Sequence, residues 1–87
     1  MTFKEYLQQA IAQLNNFRSD FQLHYDGCLE KCVVCIFYAM IPSNIAIIEA
    51  GLAAEEDGLC EDPTCINNLA YNVANAMFEE MDRRENA

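Results

Sequence analysis

Five cysteines and one histidine are the residues of this 87-residue chain whose chemistry could go beyond packing. Cys28, Cys32 and Cys35 stand at a C-x3-C-x2-C spacing in "DGCLEKCVVCIFYAM", and Cys60 and Cys65 follow in "GLCEDPTC". Thiolates at such spacings ligate soft metals, pair as disulfides or exchange with other thiols. Cysteine is also among the most buried residue types and packs as a small hydrophobe. The element that carries the three cysteines decides between these roles.

The apolar pattern predicts a helix over about 27–40. On a regular helix Cys28 and Cys35 share a face but lie about 10.5 Å apart along the axis. Three sulfurs so placed cannot all come within about 2.3 Å of one tetrahedral zinc. The C-x3-C-x2-C spacing resembles the iron–sulfur signature of radical-SAM enzymes, but those need a barrel several times this length, and no glycine-rich cofactor element follows it. His24, one turn before Cys28, extends the same face and reads as a boundary residue. The sequence therefore assigns no metal and no cofactor. Cys28, Cys32 and Cys35, with Ala39, become a strip of small side chains under a neighbouring helix. A disulfide from Cys60 or Cys65 to that strip is an alternative, and so is a thiol or metal site built from Cys28, Cys32, Cys60 and Cys65.

The surrounding elements read as a small antiparallel four-helix bundle, all-α, with helices over roughly 3–23, 27–40, 44–57 and 63–84, in a single domain over residues 1–87. Thr2 and Glu5 form a capping box ahead of the stripe Phe3, Tyr6, Leu7, Ala10, Ile11, Leu14, Phe17 and Phe21. Asp26 is a cap for the second helix, whose far half is apolar on every side. Pro42 is expected to end that helix at Ile41, and Ser43 to cap the next. Gly58 is expected as a left-handed stop, and Asp62-Pro63 as the start of the last helix. Glu79 and Glu80 lie four residues before Arg83 and Arg84, a pairing that offsets acids near a helix C-terminus. Phe37, Tyr38, Tyr71 and Phe78 lie off the main stripes and suggest a patch that a second copy could cover as a homodimer.

Fourteen acids against five bases give a formal charge of -9, which argues against direct contact with nucleic acid and points to a basic protein surface. No signal-peptide pattern and no run of about 20 apolar residues stands out, so the expectation is a cytoplasmic chain without a membrane span. The acids are uneven: six of them, Glu49, Glu55, Glu56, Asp57, Glu61 and Asp62, fall in one stretch without a base. Glu61 and Asp62 suit a helix start, whereas Glu55, Glu56 and Asp57 would oppose the dipole at the end of the third helix. These six are the candidate partner-binding residues of a non-enzymatic interaction module that docks on a basic partner, including a complex that binds nucleic acid. By size and charge alone such a chain resembles phage-encoded inhibitors such as anti-CRISPR proteins. No Ser/His/Asp or Cys/His pair is suggested by position, so no catalytic residue is assigned.

Overall fold

The computed structural model of the chain describes residues 1–85 and contains three helices, α1 (Phe3–Gly27), α2 (Val33–Ala53) and α3 (Ile66–Glu85), with no strand among the described residues. The all-helical class stands; the four-helix bundle does not. Two of the expected helices are one: α2 runs through Pro42 and Ser43. Proline inside a helix costs about 3 kcal/mol through its missing N–H and its ring clash. Here Pro42 lies on the exposed side, and buried Ile41, Ile45 and Ile48 hold the helix together on either side of it. Each such side chain contributes about 1.5–3 kcal/mol on burial, enough to override the local stop signal.

The second correction falls on the cysteines. α1 runs on to Gly27, past its expected end at 23, and residues 28–32 are a reversing turn rather than the first turn of a helix. The backbone N–H of Cys28 donates to the His24 carbonyl at 2.9 Å and closes α1, so Asp26 caps nothing. A helix unbroken from Phe3 to Ala53 could not fold its stripe against itself. The reversal lets Phe17 of α1 meet Phe37 of α2 edge to face, with ring centroids 5.0 Å apart.

Leu7, Leu14, Phe17, Ile41 and Ile48 are fully buried, and Ala70, Ala74, Met77 and Met81 bring α3 onto them. α2 and α3 pass close together where Gly51 faces Ala70. By length and composition α2 is apolar enough to cross a membrane, the composition a core helix also needs. Its buried face joins the core, while Val33, Ile36 and Met40 remain at least half exposed. The four aromatics expected to form a patch for a second copy pack against neighbouring rings, with Tyr38, Tyr71 and Phe78 still half-buried. Phe37 is buried, Tyr38 stacks on Tyr25, Tyr71 on Phe3, and Phe78 packs on Tyr6.

The acidic stretch is also re-placed, because α2 ends at Ala53 and Glu55, Glu56 and Asp57 lie beyond its last turn. Asp57 accepts from the Lys4 backbone N–H at 3.0 Å, and the Lys4 ammonium donates to the Ala54 carbonyl at 2.7 Å. A carboxylate thus sits at the N-terminus of α1 and an ammonium at the C-terminus of α2, each favoured by the local dipole. Asp62 accepts from both Thr64 N–H and Thr64 Oγ1, which lowers its carboxyl below the usual range. Gly58 has no positive φ, and α3 begins at Ile66 rather than at Pro63. The expected pairs of Glu79 and Glu80 with Arg83 and Arg84 form, at 3.0–3.4 Å.

The connection 54–65 is held by two adjacent asparagines. The Asn67 amide donates to the Glu56 and Gly58 carbonyls at 2.9 and 2.7 Å, and Asn68 takes both the N–H and the carbonyl of Cys60. Asn67 is 1% exposed, so its loss leaves two carbonyls without their donor. Asn67→Ala is expected to destabilise the protein by about 2–3 kcal/mol, read as a lower urea midpoint at unchanged slope. An unchanged midpoint would show that water replaces the amide without cost.

Candidate metal centre

The turn after α1 gathers what the sequence alone holds apart. His24 is in the last turn of α1, Cys28 is its C-cap, Cys32 is the N-cap of α2, and Cys35 is three residues into that helix. Their ligand atoms all lie within 4.8 Å of one another. His24 Nε2 is 3.2 Å from Cys32 Sγ, and Cys32 Sγ is 3.8 Å from Cys35 Sγ. A tetrahedral ion with metal–sulfur bonds of about 2.3 Å needs sulfur–sulfur edges of roughly 3.8 Å. A regular helix from Cys28 to Cys35 would hold the sulfurs apart; the turn at residues 28–32 brings them together.

Lys31 fixes the turn. Its ammonium donates to the Tyr25 carbonyl and lies 3.9 Å from the centroid of the Tyr25 ring, which stacks on Tyr38 of α2 at 4.5 Å. A cation over a stacked aromatic pair ties α1, turn and α2 together beside the cluster. Leu29, at 92% exposed, contributes nothing to burial there. No periodic pattern marks Lys31, Tyr25 or Tyr38 as supports of a site, because their partnership exists only once the chain reverses.

The thiols are tuned in opposite directions. The Cys32 thiol is lowered to about 6, first by the His24 contact and then by the backbone N–H of Cys35. The Val34 N–H adds to this, burial opposes it, and the sulfur completes no geometric cap bond to the helix. Cys35 is raised, first by burial and then by its bond to Cys28. In the metal-free, reduced protein, Cys32 should therefore remain a thiolate down to about pH 6 and be the first cysteine alkylated at neutral pH. His24→Ala removes the largest lowering contact, so the midpoint of its alkylation rate against pH should move upward and the rate at pH 6.5–7 should fall roughly several-fold. An unmoved midpoint would detach His24 from Cys32.

Cys60 and Cys65 do not join this cluster. They form a disulfide with each other, a Cα–Cα distance of 6.3 Å apart, in the connection beyond the far end of α2. At about 1.5 Å per residue, α2 puts some 27 Å between Cys35 and its own end. A disulfide to the strip and a site shared by Cys28, Cys32, Cys60 and Cys65 are both replaced by this arrangement. All six candidate partner-binding acids are exposed; Asp57 and Asp62 also accept from backbone N–H groups, whereas Glu49, Glu55, Glu56 and Glu61 do not. No protein-family model matches the chain, and no curated protein or solved structure is detectably similar to it, which leaves the side chains themselves as the ground for function.

Proposed function

We propose that this chain is a small metal-binding protein in which His24, Cys28, Cys32 and Cys35 hold one zinc-class ion that fastens α1 to α2. The observation that carries this reading is the convergence of four soft ligand atoms within 4.8 Å from two helices and the turn between them. Three thiolates and an imidazole match the ligand types of structural zinc sites, and four protein ligands leave no open position for a substrate. The ion's role in this reading is structural, and the chain is not an enzyme. Elemental analysis and native mass spectrometry of protein purified under reducing conditions test it. One zinc per chain is expected, lost in a Cys28→Ser, Cys35→Ser double variant; metal content equal in the two proteins would refute the site.

A second reading concerns the acids. Glu49, Glu55, Glu56 and Glu61 are exposed, and the salt bridges found among the described residues all lie on Arg83 and Arg84. In this reading the metal-held helices present an anionic end to a basic protein surface, including one that would otherwise bind nucleic acid, and complementary charge steers the encounter. Glu55→Lys, Glu56→Lys and Glu61→Lys together should abolish capture of a partner that the wild type retains, with metal content unchanged. Equal capture by both would remove the acids from the interface.

A further inference from the structure

Cys32 and Cys35 form a C-x-x-C pair laid across the first turn of α2. Their sulfurs are 3.8 Å apart, so reaching the roughly 2.05 Å of a disulfide needs an approach of under about 2 Å. That is within the reach of side-chain rotation for two residues three apart on one helical turn. The two differ in access: Cys32 is half-buried, whereas Cys35 is 1% exposed. A reactant from solvent meets Cys32 first, and Cys35 can attack only from the inside. His24 Nε2 lies 3.2 Å from the Cys32 sulfur. Cys60 and Cys65 are already paired in the connection beyond the far end of α2 and take no part.

We infer that Cys32 and Cys35 are a dithiol–disulfide couple oxidised by a low-molecular-weight disulfide of the glutathione class, and that this oxidation releases the ion held at the same site. The release rests on the metal reading; the couple does not. In the first step the Cys32 sulfur attacks one sulfur of glutathione disulfide. A new S–S bond forms, the old one breaks, and one glutathione leaves as a thiolate that takes a proton from water. In the second step the Cys35 thiolate, freed from the ion, attacks the Cys32 sulfur, and the second glutathione leaves as a thiolate that water also protonates. Two protein thiolates are oxidised while one disulfide and two protons from water become two thiols, so electrons and protons balance. The ion is then left with His24 and Cys28, half of its ligands.

The test equilibrates the full-length, zinc-loaded protein with glutathione buffers of rising disulfide fraction. Acid quenching, alkylation and peptide mapping follow the cysteines, and a chromophoric chelator follows zinc. Cys32 and Cys35 should lose alkylation together and appear as one linked peptide pair, while Cys28 stays alkylatable and zinc appears in equal amount. Cys35→Ser should halt the reaction at a glutathione adduct on Cys32. The inference is overturned if Cys32 and Cys35 remain alkylatable across the range, or if Cys28 is oxidised in place of Cys32. Zinc bound and retained with no new disulfide sinks the couple and spares the metal reading. A Cys32–Cys35 disulfide in protein that never takes up zinc does the reverse.

Discussion

Gly51→Ala should lower the stability of this protein by about 1–2 kcal/mol, although alanine is the better helix former by about 1 kcal/mol. A Cβ at position 51 would lie 2.4 Å from the Ala70 Cβ and 3.3 Å from Leu7 Cδ1. Leu7 can turn a methyl away, but the Ala70 Cβ is fixed to the backbone of α3. Restoring a carbon–carbon contact of about 3.5–4.0 Å requires α2 and α3 to separate by more than about 1 Å. That movement opens the contacts of Ile48, Ala70 and Ala74 in the core. Overpacking of this kind costs about 1–3 kcal/mol, and Gly51→Val, with two further carbons, should cost more. A double-mutant cycle isolates the cause. Ala70→Gly empties the opposing position, so the pair Gly51→Ala, Ala70→Gly should be more stable than the sum of the single effects by over about 1 kcal/mol. Additive effects in urea denaturation would mean that the helices are not in contact at this point.

Stripping the zinc-class ion should have the larger effect. At free metal near 1,000 times the dissociation constant, a ligand bound only to the folded state stabilises it by about 4 kcal/mol. In a chain of this size that is on the order of 20 °C in melting temperature. Chelation, or Cys28→Ser, should therefore lower the melting temperature by about that amount. The loss should be local in origin. Hydrogen exchange should speed up first over residues 24–35, where the proposed ligands from both helices converge, while the Lys4–Asp57 end keeps its protection. A melting temperature insensitive to chelator would remove the ion from the fold.

The first helix was legible from its own residues, because Thr2, Glu5 and the stripe from Phe3 to Phe21 act within one element. Thr2 Oγ1 does accept from Glu5 N–H at 3.1 Å. What failed to read through were the two places where tertiary packing overrules a local signal. Pro42 is a sound stop when only its neighbours are counted, but the core contacts of Ile41, Ile45 and Ile48 outweigh it. Cys28 to Cys35 have a helical pattern, yet the chain must reverse for Phe17 to reach Phe37. The second of these bears on function. A helix drawn through 28–32 scatters the thiols and argues against a metal; a turn there converges them with His24. The acids show the opposite lesson. Asp57 looked uncompensated because its partner, the Lys4 backbone, lies 53 residues away in sequence. The Cys60–Cys65 pair left no periodic trace, since a disulfide across five residues depends only on the loop between them.

The most direct test of a four-ligand centre at His24, Cys28, Cys32 and Cys35 is a cobalt(II) titration of the reduced, metal-free protein followed by visible absorption. Tetrahedral thiolate coordination predicts intense d–d bands and sulfur-to-cobalt charge transfer that saturate at one equivalent. The charge-transfer band should weaken in Cys28→Ser and be untouched by Cys60→Ser, Cys65→Ser. A faint octahedral spectrum, or an end point that follows Cys60 and Cys65 instead, would contradict the site.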